Sequence, residues 1–250
     1  MATKKEKKEV LRIEELTKKY GSFVALNNVS FSLTEGEVVG FLGQNGAGKS
    51  TTIKILSNLI SPTSGGVWLD GVDILNRRDG EHRRKIGVIV EAPRFYPTLS
   101  GKKNLEFLAE AQGVSKERVI TLLKEVGLTE RAHEKFGRYS MGMKQRLGLA
   151  AVLLHEPSLI ILDEPTTGLD PVGRKQILEL IKTLKKKHDV TILFCSHILS
   201  EVEELCDRAL VLHEGSLILD QSLKSKGGFK KVESCFGEIA QDMTEKGEVG

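Results

Sequence analysis

The chain has 250 residues, of which 40% are hydrophobic, 28% charged and 5% aromatic, and 37 Lys+Arg against 34 Asp+Glu leave a formal net charge of +3. That balance is too apolar for a disordered chain and too weakly basic to call for nucleic acid. The longest unbroken apolar run, Leu149–Leu154, falls far short of the about 20 residues a membrane helix needs. The length allows one or two domains with a substantial buried core. No apolar stretch follows the lysine-rich start (Lys4, Lys5, Lys7, Lys8), so no secretory signal is expected. Cys195, Cys206 and Cys235 lack metal-ligand spacing and suit a reducing cytoplasm.

Val29, Phe31 and Leu33 alternate with Ser30, Ser32 and Thr34, the pattern of a strand with one wet face. Glu37–Leu42 is an apolar run cut off by glycine, which suits a strand covered on both faces. A helix is expected from Lys49 through Ile60. Val67–Leu69 followed by Asp70-Gly71 reads as a strand entering a tight hairpin turn. From about Ser100 to Leu154 the pattern is helical: Leu105, Leu108 and Ala109 share one face, and Val119, Leu122, Leu123 and Val126 another, with Gly127 to end that helix. Ser140 is a candidate N-cap for a third helix that stops before Pro157. Strand–helix alternation then returns, with a strand at Leu159–Leu162, a helix face of Ile177, Leu180, Ile181 and Leu184, and a strand at Val190–Cys195. This pattern favours βαβ units and a mostly parallel sheet, with the helical stretch as an insertion in an α/β core. The expected division is 1–91 with 155–223 for the core, 92–154 for the helical insertion, and a flexible tail over 224–250.

Gly43-Gln44-Asn45-Gly46-Ala47-Gly48-Lys49-Ser50, followed by Thr51, fits the phosphate-loop pattern G-x-x-x-x-G-K-[ST] between a strand and a helix. Glycines let backbone N–H groups curl around phosphate oxygens, and the helix that follows adds the positive end of its dipole. Lys49 is placed to reach the β- and γ-phosphates, and the Ser50 hydroxyl to ligate Mg²⁺. Leu159-Ile160-Ile161-Leu162-Asp163-Glu164 delivers two carboxylates at the end of an apolar strand. Asp163 can hold Mg²⁺, and Glu164 can orient and polarise an attacking water.

With Tyr139-Ser140-Met141-Gly142-Met143-Lys144-Gln145-Arg146 between them and His197 downstream, these motifs resemble the ATP-binding subunits of ABC transporters, from Val10 to about Ser222. The resemblance implies an α/β P-loop NTPase (RecA-like) core with an N-terminal antiparallel β subdomain and an inserted helical subdomain. It implies ATP and Mg²⁺ as ligands, and a second copy or related ATPase subunit whose Ser140 and Gly142 meet the γ-phosphate from across the gap. His197 matches the family's switch histidine at that phosphate, and Tyr20 the aromatic on which adenine stacks. Gly168-Leu169-Asp170 resembles the loop by which the subunits sense each other, and equally reads as a helix cap before Pro171. Met141 and Met143 depart from the family's Leu-Ser-Gly-Gly-Gln.

Glu91 stands where the family more often has Gln, a position that touches Mg²⁺ or the lytic water. That Glu, with Pro93-Arg94-Phe95-Tyr96-Pro97-Thr98-Leu99 after it, resembles exporters that protect bacteria from bacitracin and lantibiotic peptides. Arg94–Asn104 is then expected in the groove that receives a short helix of a separate transmembrane permease, with the chain at the cytoplasmic face of the membrane. No direct nucleic-acid partner is expected, and Lys4–Lys8 and Lys185–Lys187 read as solvated faces. An alternative is an ABC-type ATPase acting on nucleic acid or ribosomes, but only 114 residues separate Lys49 from Asp163, with no sustained heptads and a single cassette. A GTPase would need an Asn-Lys-x-Asp segment, which the sequence lacks.

Overall fold

Glu9–Tyr20 (β1) and Phe23–Thr34 (β2) form an antiparallel hairpin, of which the alternation at Val29, Phe31 and Leu33 is the second half. The first half hides its period. Leu11 and Ile13 are buried two apart, but the next buried residue is Leu16, because the register shifts there and Glu15 adopts φ 49°. The computed structural model describes residues 8–76, 82–90 and 93–245. Val38–Leu42 (β3) is buried at every position and runs through residues 43–48 into Lys49–Leu56 (α1). That helix ends four residues before the expected Ile60. Asn58 turns left-handed at φ 55°, and the Leu59 N–H folds back to the Lys54 carbonyl at 2.8 Å. Ser64–Leu69 (β4) and Val72–Asp73 (β5) meet through the expected tight turn, with Asp70 and Gly71 both at positive φ. The resulting sheet has the order β2-β1-β4-β5.

The chain continues through Ile86–Val90 (β6), Gly101–Gln112 (α2), Lys116–Glu125 (α3), Met141–Val152 (α4), Leu159–Asp163 (β7) and Pro171–His188 (α5). Thr191–Cys195 (β8), Leu199–Leu205 (α6), Arg208–His213 (β9), Ser216–Ser222 (β10) and Gly228–Glu245 (α7) follow. Two compact units result, Met1–Arg83 with Thr191–Gly250, and Arg84–Val190.

In the first unit, β3 lies between β8 and β9 and is parallel to both, while β10 pairs antiparallel with β9. Strands covered on both faces can be almost wholly apolar, as β3 is and as β8 is after Thr191. The flexible tail expected over 224–250 requires correction, since 228–245 forms α7, with Val232 and Ile239 buried against β9 and β10. Its apolar residues Phe229, Val232, Phe236 and Ile239 recur at helical spacing. Composition alone concealed this, because Lys, Glu and Ser fill the other face.

In the second unit, β6 pairs parallel with β7 from Ile86↔Leu159 to Val90↔Asp163, and α4 packs on β6. This is why β6, β7 and α5 group with α2, α3 and α4, whereas the sequence pattern assigned them to the core. Ser100, Ser115, Ser140 and Asp170 each cap a helix through a side-chain oxygen. Among the described residues no helix is long and apolar enough to cross a membrane.

The C-terminal ends of α3 and α5 are pinned by Glu125, whose buried carboxylate meets His188 Nε2 at 2.7 Å and Lys187 Nζ at 3.0 Å. Lys187 is therefore tied to Glu125, although the run Lys185–Lys187 read as a solvated face. Burial is the largest single influence on Glu125 and pushes its carboxyl up. The hydrogen bonds and charges of His188 and Lys187 together outweigh it and hold the group below the ordinary carboxylate range. A depressed acid contributes stability that is present above its unfolded value near 4.5 and is lost as pH falls through the lower folded value. Glu125→Gln is accordingly expected to lower stability at pH 7 by about 1–3 kcal/mol, and the gap from wild type should be smaller at an acid pH below the folded value of the carboxyl. Urea unfolding at the two pH values checks this; a gap independent of pH would contradict it.

Candidate active site

The loop at residues 43–48 is shaped by its glycines. Gly48 sits at φ 108°, and a Cβ there would lie 2.8 Å from the Ala25 carbonyl and 2.7 Å from Leu26 Cδ2. Backbone and packing therefore both require glycine. At Gly43 a Cβ would meet the Leu212 carbonyl at 2.6 Å. Ala47 is buried, and its carbonyl accepts the Gly215 N–H at 3.0 Å, which ties the loop to the β9–β10 turn. Asn45, Gly46 and Ser50 are exposed, and Gln44 and Thr51 half-buried. Lys49 is buried and folds its ammonium back over the loop onto the carbonyls of Gly43 and, at 3.1 Å, Gln44. Four helices carry side-chain caps, but α1 begins at Gly48, which offers none. Its first turn thus receives no side-chain cap from Gly48, and a helix N-terminus that follows a glycine loop is the arrangement of an anion site.

His197 reaches the same end of the sheet through strand register. Phe41 of β3 pairs with Cys195 of β8, so Gly43 and His197, each two residues further on, leave neighbouring parallel strands side by side. His197 is exposed. The hairpin β1–β2 brings Ala25 and Leu26 against Gly48. At the tip of that hairpin Tyr20 stands 47% exposed with the Lys18 ammonium 5.0 Å from its ring centre.

The second unit carries the carboxylates and the Ser140 helix. Asp163 ends β7 and is 8% exposed. Glu164 follows in the left-handed region at φ 48°, and its Oε2 accepts the Thr167 hydroxyl at 3.0 Å. A non-glycine residue held there costs of order 1–3 kcal/mol, strain that clusters at working sites. Ser140 is exposed and its Oγ accepts the Met143 N–H at 3.3 Å. A hydroxyl that accepts still has a proton to donate. The start of α4 and the Gly168-Leu169-Asp170 loop come together: a Cβ on Gly142 would lie 3.9 Å from Leu169 Cδ2, and one on Gly168 3.9 Å from Met141 Cγ. Asp170 also caps α5 at 2.7 Å. Glu91 lies outside the described residues.

The family model for ABC transporters matches residues 26–167, which include the glycine loop, the Ser140 helix and Asp163-Glu164. The chain belongs to the ABC transporter family. It is 45% identical to the bacitracin transport ATP-binding protein BcrA of Bacillus licheniformis, over 84% of this chain and 68% of that protein. It is 43% identical to the lantibiotic transport ATP-binding protein SrtF of Streptococcus pyogenes, over 91% of this chain and 96% of that one. Among solved structures, cbiO1 of Clostridium perfringens, part of the ABC transporter complex cbiONQ, is 30% identical with a TM-score of 0.83, covering 97% of this chain and all of that one. A dimeric ATP-binding cassette in a post-hydrolysis state with ADP and Pi is 28% identical with a TM-score of 0.76, covering 86% of this chain and 100% of its own.

This ABC transporter subunit binds and hydrolyses ATP on an α/β P-loop fold. Each unit holds residues beside the candidate site residues that sequence reasoning missed. Thr167 restrains Glu164. Ser196 and Glu201, both buried, hydrogen-bond each other at 2.9 Å beneath His197. A threonine three residues after a strand-end carboxylate is a readable signal for the first. Nothing local marks the second, because that pair needs α6 to begin where it does.

Proposed function

We propose that two copies of this chain, or one copy and a related subunit, close head to tail on two Mg-ATP and drive a separate permease that exports a peptide antibiotic. The observation that carries this reading is the presence of two phosphate-ready helix N-termini, α1 and α4, in one chain. A triphosphate gripped by one copy's α1 and met by the other's Ser140 and Gly142 uses both. In this reading the amides of residues 43–51 and Lys49 hold the phosphates, Tyr20 stacks the adenine, and His197 donates to the γ-phosphate. Glu164 takes the proton of the attacking water, and Lys49 with the loop amides opposes the charge that develops. The hydroxyl of Ser50 and the carboxylate of Asp163 are hard oxygen donors, the set that suits Mg²⁺ held mainly by phosphate and water. Glu91 would add a third. When bound, the metal neutralises charge on the β- and γ-oxygens.

The partner surface has support in the second unit. A groove of about 330 Å³ is lined by Val88, Val90, Pro93, Arg94, Phe95 and Val152. Beside it Tyr96 and Phe107 are exposed and meet edge to face at 5.7 Å. An apolar groove with one cation suits a short helix offered by a membrane protein at the cytoplasmic face. The peptide cargo is proposed from the transport functions named for BcrA and SrtF.

Mixing two inactive variants tests the head-to-tail arrangement. Lys49→Ala spoils the loop and Gly142→Asp the α4 terminus, so each homodimer lacks both complete sites. A mixed dimer has one complete site. The mixture is expected to release phosphate when neither component does; a mixture as inactive as its parts would overturn the reading.

A further inference from the structure

We infer that Ser196 and Glu201 are positioning residues that hold His197 beside the phosphate loop. The inference rests on the proposed role of His197 and adds the means by which that role is set. Ser196 and Glu201 are 2% and 4% exposed, although neither belongs to the apolar core they adjoin. The Ser196 hydroxyl donates to Glu201 Oε2 at 2.9 Å and accepts the Ile198 N–H at 3.0 Å. Both chain neighbours of His197 are thereby tied to one oxygen, and that oxygen is tied to a carboxylate in the first turn of α6.

The next residue, Val202, fixes α6 in turn. It is fully buried against β3, so close that a Cβ on Gly40 would meet its Cγ1 at 2.7 Å. β3, which ends in the phosphate loop, is therefore linked through Val202 and its chain neighbour Glu201 to Ser196, the residue that precedes His197. A buried carboxylate is costly unless it is hydrogen-bonded, and an apolar side chain could fill the same space. What the carboxylate supplies is a directed acceptor, which sets the turn's conformation and hence where the imidazole stands when phosphate arrives.

The test uses the full chain, with steady-state hydrolysis and equilibrium ATP binding measured for Ser196→Ala, Glu201→Ala, Glu201→Gln, His197→Ala and the double variant His197→Ala/Glu201→Ala. Ser196→Ala and Glu201→Ala are expected to lower kcat about tenfold, the scale of a misplaced group. The Kd for ATP should stay within about twofold. Glu201→Gln should recover most of the rate, because its amide oxygen accepts the same proton. The double variant should be no slower than His197→Ala alone, since a residue acting through His197 has nothing left to act on. Additive losses, unchanged kcat, or a glutamine variant as slow as the alanine would each overturn the inference. If Glu201→Ala does not fold, Ser196→Ala, which removes a single oxygen, carries the same cycle. Lys49→Ala reports separately on the loop. If it hydrolyses ATP as wild type does, the proposed site fails; if only the cycle is additive, the positioning role alone fails.

Discussion

Glu164→Gln is expected to cut ATP hydrolysis by about 10²–10⁴-fold, the range lost with a general base, while leaving ATP binding intact. The amide has the shape of the carboxylate and can still accept the Thr167 hydroxyl, which reaches Glu164 Oε2 at 3.0 Å. The backbone at φ 48° is equally available to it. What it lacks is the capacity to take a proton from water. In the proposed cycle ATP closes the dimer and hydrolysis reopens it, so the variant should also accumulate a nucleotide-bound dimer. Phosphate release, equilibrium ATP binding and light scattering with Mg-ATP measure the three quantities. Wild-type turnover in the variant would remove Glu164 from the chemistry, and a monomer saturated with ATP would remove the sandwich.

Gly48→Ala is expected to damage both fold and site. Its φ of 108° is a conformation that L side chains rarely adopt, and the added Cβ would lie 2.8 Å from the Ala25 carbonyl. Leu26 Cδ2, at 2.7 Å, is a side-chain tip that can swing aside, but a strand carbonyl cannot without moving β2. Together these should cost at least about 2 kcal/mol, a fall in Tm of about 4–8 °C for a chain of this size. Displacing the amide at the start of α1 should also weaken ATP binding about tenfold or more. Gly46→Ala is the control. Gly46 has φ 84°, yet its Cβ would meet nothing within 4 Å, so only the backbone cost applies. Equal Tm losses for the two variants would show that the packing against Ala25 and Leu26 is not what limits position 48.

The glycine loop could be read directly because its pattern is local: a phosphate loop offers consecutive main-chain amides and one lysine from a single contiguous segment. The same holds for the caps at Ser140 and Asp170, whose side chains reach only three residues ahead. β3, β7 and β8 announced themselves by being apolar at nearly every position. β1 did not, because the irregularity around Glu15 breaks the two-residue period. α7 escaped because Phe229, Val232, Phe236 and Ile239 are diluted by charge. The early stop of α1 turned on one left-handed asparagine, which no helical periodicity can forecast.

Sequence alone thus determined the family and the glycine-loop motif, since each is written in short contiguous segments. Only the tertiary structure decided which distant segments meet. The Phe41↔Cys195 register brings His197 beside Gly43, and α6 brings Glu201 to the hydroxyl of Ser196 in a buried pair. Contacts between residues far apart in the chain depend on strand order and register, which composition and spacing do not encode.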